Sequence, residues 1–575
     1  MRIGALLWSV AGVIILGLLV PISCGGGGGG GKKSSAIYTL TIVAGPNGTM
    51  TPASGDFDGG TVVMLTASPS PTNRVAAWTG TDDDASTATT GTNIPTTNQV
   101  TMNADKTVNV TFEVLPTQYT LTQSPGANGA LMPPTGLYDA GFALPLRAWG
   151  AAGYEVASWS GTDDDLSTAF TNTVTMTTDR TVSAGFSLTT FTEIQFTAPP
   201  GFLPSPHTCL LIDLDDDNDL DLFAANFEWP PAASTVTAFR NDGNGNFTDD
   251  TNQIFAGQTI WTTHMRHWAV ADFNKDGRDD VFIADHGLDI PPFPGIQNQI
   301  FIQNTSGQLI EESATRLPQA SDFTHNVAVG DIEGDGDDDL YLANLPSPGP
   351  RMLVNDGSGF FSIQNSRIPG GLGGFMSSQF VDVDRDGDLD LVLGQIQGGG
   401  GTHDRILLNN GSGNFSTAAQ STLPPRPGGS QNGTVAVDSA DYDGDGWQDL
   451  VFSNVDNMYT NGSLQLLINN RDGTFRDEST AINKSWRTTG WVVWAHAMDA
   501  NGDGIPDIVG VANWPLIHTV LEQTGPTGLS LNPAQTYDTQ SGAPPVLIPG
   551  DVDGDGDIDF VQLTAGNPQR VLLRD

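Results

Sequence analysis

Asp213-Leu-Asp215-Asp-Asp217-Asn-Asp219-Leu-Asp221-Leu222 is a ten-residue stretch with a carboxylate at every odd position. The pattern recurs as Asp272-Phe-Asn274-Lys-Asp276-Gly-Arg278-Asp-Asp280-Val281 and Asp331-Ile-Glu333-Gly-Asp335-Gly-Asp337-Asp-Asp339-Leu340. It returns as Asp382-Val-Asp384-Arg-Asp386-Gly-Asp388-Leu-Asp390-Leu391 and Asp441-Tyr-Asp443-Gly-Asp445-Gly-Trp447-Gln-Asp449-Leu450. The last two copies are Asp499-Ala-Asn501-Gly-Asp503-Gly-Ile505-Pro-Asp507-Ile508 and Asp551-Val-Asp553-Gly-Asp555-Gly-Asp557-Ile-Asp559-Phe560. Successive copies start 51 to 59 residues apart, so the repeat unit is larger than the loop itself.

The spacing has a chemical reading. Oxygens at positions 1, 3 and 5 of a tight loop converge on one point, and calcium takes six to eight oxygens. Position 6 must turn sharply and is expected at positive φ; it is Gly in six copies and Asn218 in the first. Position 7 would offer a main-chain carbonyl, so its side chain is free to vary: Asp219, Arg278, Asp337, Asp388, Trp447, Ile505 and Asp557. Position 9 is Asp in every copy and position 10 is apolar, an anchor for the next strand. An EF-hand shares the first half of this pattern but needs a Glu at position 12 and flanking helices. Position 12 here is Ala224, Ile283, Leu342, Leu393, Phe452, Gly510 or Gln562, and the flanks read as strands. The expected cofactor is Ca²⁺, up to seven ions, one per repeat. Seven ions would offset 14 of the 43 net negative charges.

The chain has 575 residues, with 66 acidic against 23 basic side chains. That balance excludes nucleic acid as a partner, since phosphate binding needs a basic patch. Gly (69) and Pro (36) are frequent and helix-period stripes are almost absent, so the chain reads as all-β. About 30 residues after most loops comes a second landmark: Phe239-Arg-Asn-Asp-Gly-Asn-Gly-Asn-Phe247, Leu353-Val-Asn-Asp-Gly-Ser-Gly-Phe360, Leu408-Asn-Asn-Gly-Ser-Gly-Asn-Phe415 and Ile468-Asn-Asn-Arg-Asp-Gly-Thr-Phe475. Asn-Gly and Asp-Gly between apolar runs mark hairpins. Each repeat therefore reads as strand, acidic loop, two strands, Gly turn and strand, which is one blade of a seven-bladed β-propeller. The last repeat stops after its third strand, Arg570 to Arg574, and the orphan segment Phe191-Thr-Glu-Ile-Gln-Phe196 is placed to complete it. These loops and turns resemble the FG-GAP/VCBS repeats of integrin-type propellers over residues 190–575. The resemblance implies calcium ligands at positions 1, 3, 5 and 9 and the carbonyl at 7, with Asn274, Glu333 and Asn501 as departures. Its functional implication is broad: adhesion, or protein or carbohydrate binding, with enzymes occasional.

Residues 37–114 and 118–188 are copies of each other. They share Tyr38-Thr-Leu-Thr with Tyr119-Thr-Leu-Thr, and Trp78-Thr-Gly80-Thr-Asp-Asp-Asp84 with Trp159-Ser-Gly161-Thr-Asp-Asp-Asp165. They resemble divergent internalin B-repeats, which implies small β-rich stalk or adhesive modules. Both Trp residues are expected in the cores, and the Asp triplets in solvated turns. Upstream, Arg2 is followed by an apolar run and then Pro21-Ile-Ser-Cys24, similar to a bacterial lipobox, and residues 25–36 form a Gly-rich tether. Residues 1–24 are expected to be a lipoprotein signal peptide with lipidation at Cys24. An uncleaved span gives the same result, a membrane tether that exports the rest. The Gly run after Cys24 is similar to those of outer-membrane lipoproteins, so a Gram-negative outer-membrane or cell-surface location is expected. Cys209 is the only other cysteine, which leaves no disulfide for the exported part.

No HExxH, nucleophile elbow or P-loop is present. Ser358 and Ser412 sit in hairpin turns, and no catalytic residue is assigned. His207, His267, His325 and His496 precede acidic loops and could ring an axial channel, or cap strands. Trp261, Trp268, Trp486, Trp491, Trp494 and Trp514 could stack on sugars, with packing the default reading. The expectation is a non-enzymatic, calcium-stabilised envelope protein that binds an extracellular or periplasmic protein or glycan, with the two modules as a spacer. The rival expectation is a polysaccharide lyase or hydrolase working from a propeller face.

Overall fold

The run after each acidic loop is apolar at consecutive positions, as in Leu222-Phe223-Ala224-Ala225. Successive side chains of a strand point to opposite faces, so such a run needs packing partners on both sides. The computed structural model describes residues 36–574 except 85–95, 116, 206–207, 216, 228–231, 346–348, 373, 397–403, 418–422, 427–432, 456–461, 483–491, 513–517, 524–529 and 538–545. Two partners are present. Leu222 and Ala224 are buried with Phe196, Val561 and Leu563, whereas Phe223 and Ala225 are buried with Val281, Ile283 and Phe301. One repeat further on, Val281 and Ile283 face back, and Phe282 and Ala284 pack with Leu340 and Leu342.

The described residues from 191 onward form seven antiparallel sheets built on four strands each. Sheet one runs Cys209–Ile212, Asp221–Ala225, Ser234–Arg240 and Thr248–Asp249. Sheets two to six repeat that order, starting from Met265–Ala271, Thr324–Gly330, Phe375–Val381, Gly433–Ala440 and Val492–Met498. Sheet seven takes Val546–Gly550, Asp559–Leu563 and Gln569–Arg574 from the end of the chain and its fourth strand from Phe191–Phe196. Phe191 lies opposite Arg574 and Phe196 opposite Gln569. A buried cluster fills the space between each sheet and the next. The cluster between sheets seven and one closes the circuit, with the Phe196 ring 5.4 Å from Phe239 and 5.2 Å from Phe247. The acidic loop of each sheet joins its first strand to its second, so all seven occupy the same end of their sheets.

The described chain divides into two units between Gln118 and Tyr119. In the first unit, Ile37–Ala44 pairs in parallel with Lys106–Val114 and antiparallel with Gly55–Asp58, and Asn73–Thr79 completes the sheet. A second sheet holds Gly48–Thr51, Val62–Pro69 and Thr96–Thr101. Leu40, Leu65, Trp78, Val100 and Val108 form the core. The second module repeats this topology around Leu121, Leu146, Trp159 and Val182. Unlike the first, it belongs to the same unit as the seven sheets. The Asp triplets are turn clamps: Asp84 accepts N–H bonds from Gly80 and Thr81, and Asp165 one from Thr162. Cys24 and the rest of residues 1–35 lie outside the described residues. Among those described, no helix is long and apolar enough to cross a membrane.

Candidate metal centre

Each acidic loop is tied by its own carboxylates. The position 1 Asp accepts the N–H of position 6 in all seven, from Asn218 (3.0 Å), Gly277 (2.7 Å), Gly336 (2.7 Å), Gly387 (3.2 Å), Gly446 (2.7 Å), Gly504 (2.6 Å) and Gly556 (3.1 Å). That bond needs the left-handed turn expected there, and φ at position 6 runs from 71° at Asn218 to 98° at Gly556. The position 5 carboxylate accepts the N–H of position 7, at 2.8 Å for Asp503 and Ile505 and 3.2 Å for Asp217 and Asp219. The same bond forms at Asp276, Asp335, Asp386, Asp445 and Asp555. Position 10 is buried in every loop, from Leu222, Val281, Leu340, Leu391, Leu450 and Ile508 at 0 % to Phe560 at 2 % exposure.

Position 9 carries a role that the loop pattern alone did not reveal. One oxygen of Asp449 accepts the N–H of Tyr442 at 2.8 Å, and the other the N–H of Asn469 at 2.8 Å. Asp221, Asp280, Asp339, Asp390, Asp507 and Asp559 make the equivalent pair, one bond to position 2 and one to the residue at the end of the third strand. The landmark asparagines also do more than turn. The side-chain amides of Asn241, Asn355, Asn409 and Asn469 donate to position 2 carbonyls of the preceding sheet's loop, at Val552, Phe273, Ile332 and Val383. Position 4 is left-handed too, at Lys275, Gly334, Arg385, Gly444, Gly502 and Gly554. Gly at four of these positions was the available signal.

Among the described residues the acids converge in four loops. Asp213, Asp215 and Asp221 bring one oxygen each within 4.8 Å of one another, as do Asp382, Asp384 and Asp390; Asp441, Asp443 and Asp449; and Asp551, Asp553 and Asp559. Asp215, Asp217 and Asp219 form a second such group in loop one. Loops two and six carry Asn274 and Asn501 at position 3, and in loop three Glu333 is drawn to Arg367 at 2.9 Å. Basic side chains sit on other loops: Arg240 on Asp215 (2.5 Å), Arg278 on Asp276 (2.5 Å), Arg471 on Asp445 (2.5 Å), Arg476 on Asp443 (3.3 Å), and Lys275 on Asp337. Among the described residues no such ion pair reaches Asp382, Asp384, Asp386, Asp388 and Asp390 of loop four, or Asp551, Asp553, Asp555, Asp557 and Asp559 of loop seven. In these two loops one oxygen each of Asp382, Asp384 and Asp557 is buried with no hydrogen-bond donor.

Burial sets the electrostatics. It pushes the carboxyls of Asp221, Asp280, Asp390 and Asp449 up to about 7, against the backbone N–H bonds that favour ionisation. Burial raises Asp557 to about 7 as well, with Asp555 adding repulsion. An all-oxygen, anionic donor set with buried acceptors left over fits a hard divalent cation such as calcium and no softer metal.

The histidines separate into two places. His267 stacks on Trp268, ring centroids 5.9 Å apart, and His496 lies 3.8 Å from Asp438. Trp268 and His496 line a cavity of about 210 Å³ with Leu210, Met498 and Ile548 from the first strands of sheets one, six and seven. His325 is elsewhere, against His286 (4.4 Å), which also meets His264 (4.8 Å). His325 thus packs with His286 and not with His267 and His496. His207, Trp486, Trp491 and Trp514 lie outside the described residues. Trp261 is exposed.

The FG-GAP-like repeat profile matches residues 213–283, 272–342, 334–393, 396–452 and 441–510. The divergent InlB B-repeat domain matches 38–116 and 119–190. No curated protein matches the chain. Among solved structures, the chain is similar to the rhamnogalacturonan lyase YesW at 12% identity, covering 94% of this chain and 89% of that one, with a TM-score of 0.36. The dihydro-heme d1 dehydrogenase NirN is 12% identical over 67% of this chain and 78% of that one, TM-score 0.31. The endo-1,5-alpha-L-arabinanase of Thermotoga petrophila is 12% identical over 66% of this chain and all of that one, TM-score 0.24.

Proposed function

This chain belongs to the FG-GAP-like repeat family, whose profile spans just over half of it, and on that premise we propose a calcium-stapled, envelope-displayed binding protein. Residues 190–575 act as a seven-bladed β-propeller, one sheet per blade, and Asp, Asn and Glu side chains at positions 1, 3, 5 and 9 hold the cations in the loops that take an ion. Calcium, when bound, supplies charge compensation and loop rigidity rather than chemistry. The observation that carries this reading is the pair of loops four and seven, where acids converge and buried oxygens lack donors, and where, among the described residues, no basic side chain forms an ion pair with a loop carboxylate. Lipidation at Cys24 would tether the protein to a Gram-negative outer membrane or cell surface, with the two β-modules between anchor and propeller. The ligand class is an extracellular or periplasmic protein or glycan, and the protein is not an enzyme.

Two measurements test this. Metal analysis of the calcium-dialysed protein should find several ions per chain; none would refute the staple. A glycan array run beside a lyase and hydrolase screen should give binding without turnover, and release of product from any polysaccharide would overturn the non-enzymatic reading.

A further inference from the structure

Loop six differs from the others in what reaches it. Its position 3 residue, Asn501, is neutral, and its side-chain oxygen accepts the Asp503 N–H at 2.9 Å. Among the described residues no three acidic ligands converge there. Instead the second module meets loop six and the third strands of sheets six and seven at three points. The Arg147 guanidinium, held over the Trp149 ring at 5.3 Å, donates to the Asp503 carbonyl and lies 3.7 Å from the Asp503 carboxylate. The Gly153 N–H donates to Glu522 Oε2 at 2.8 Å. Glu155 lies 3.5 Å from Arg574, which also donates to the Ala500 carbonyl at position 2 of loop six (2.5 Å) and to Thr189 Oγ1 (3.5 Å). Asp503 and Glu522 are both buried, so each is held by a hydrogen-bond donor or a positive charge close by.

The first module is an internal control. Its strand Val62–Pro69 aligns with Ala143–Gly150 and its strand Asn73–Thr79 with Tyr154–Ser160. Arg147, Trp149, Gly153 and Glu155 thereby correspond to Thr66, Ser68, Thr72 and Arg74. The Arg147, Trp149 and Glu155 side chains have no like counterpart in that copy, and Arg74 has the opposite charge to Glu155 and pairs with Glu113 at 2.6 Å inside its own module.

We propose that loop six is a docking socket for the second β-module, in which the Arg147 guanidinium supplies the positive charge that calcium supplies in loops four and seven. The comparison with loops four and seven rests on the calcium reading; the docking itself does not. The module is thus fixed to sheets six and seven rather than hung from a free linker.

The test uses the full chain and a double variant, Arg147→Thr with Glu155→Arg, which installs residues the first module already tolerates at the same positions. Hydrogen exchange of the segment containing the Gly153 amide should quicken by about tenfold or more in the variant, with Arg147→Lys in between. Unchanged exchange overturns the socket. Calcium counting adds a second arm. Asp499→Asn should leave the count per chain as it was, because loop six holds no ion, whereas Asp384→Ala should lower it. A count that falls by one in Asp499→Asn overturns the charge substitution. A chain that holds no calcium at all refutes the staple while leaving the exchange result to decide the docking.

Discussion

Replacing Asp449 by Ala removes the acceptor of two buried backbone N–H groups, those of Tyr442 and Asn469. Leaving such groups unpaired costs about 1–3 kcal/mol each, so the loss should appear in urea melts with or without calcium. Asp384→Asn should behave differently. Asp384 has a buried oxygen with no donor, so its removal should abolish part of the calcium-dependent stability yet leave the protein in EDTA unharmed or slightly firmer. The pH dependence has a definite sign. Asp221, Asp280, Asp390 and Asp449 are raised to about 7 by burial, above their unfolded value near 4. Without calcium, the stability tied to their protonated forms is fully present below about pH 4 and is lost as pH rises through about 7. Melting temperature in EDTA should therefore fall between pH 5 and pH 8, and saturating calcium, which needs the ionised carboxylates, should remove or reverse that slope. A rise in EDTA would contradict the burial argument.

At the scale of the loop, the left-handed residues set the geometry. Gly387 has φ 94° and open space where a Cβ would stand, so Gly387→Ala tests backbone strain alone. It should cost about 1–2 kcal/mol, read as a lower urea midpoint with an unchanged slope. Position 6 was legible in the sequence because Gly and Asn announce positive φ. Position 4 was only half legible: Lys275 and Arg385 adopt it with φ 58° and 61°, and neither residue type signals that conformation. The landmark Asn-Asp-Gly turns were legible as hairpins, since that property is local. The reach of Asn355 to the Phe273 carbonyl was not, because it belongs to the packing of one sheet on the next. The same holds for Arg147 and Asp503, 356 residues apart in sequence. Repeats disclose what every copy does and hide what one copy does differently.

The whole molecule turns on the pairing of Phe191–Phe196 with Gln569–Arg574. A chain starting at residue 118 keeps that pairing and should melt like the full-length protein. One starting at residue 200 leaves the Gln569–Arg574 edge unpaired and exposes the Phe239 and Phe247 rings, so it should melt lower and form oligomers on size-exclusion chromatography. Chelation acts on every loop that holds an ion. A cation at tenfold its Kd contributes about 1.4 kcal/mol per site, so EDTA should lower the melting temperature by many degrees if several sites fill. The closing strand was legible as an orphan segment because the last repeat lacked one. Its place in the chain has a mechanical consequence. Under the tethering and ligand binding proposed above, a pull from the module side reaches the seven sheets through Phe191–Phe196, the strand that joins the two ends of the circuit. Thr189 and the contacts of Arg147, Gly153 and Glu155 stand ahead of that seam and share the tension before it reaches the strand. Force would then have to break a salt-linked clasp first, and only afterwards the ladder that keeps the ring shut.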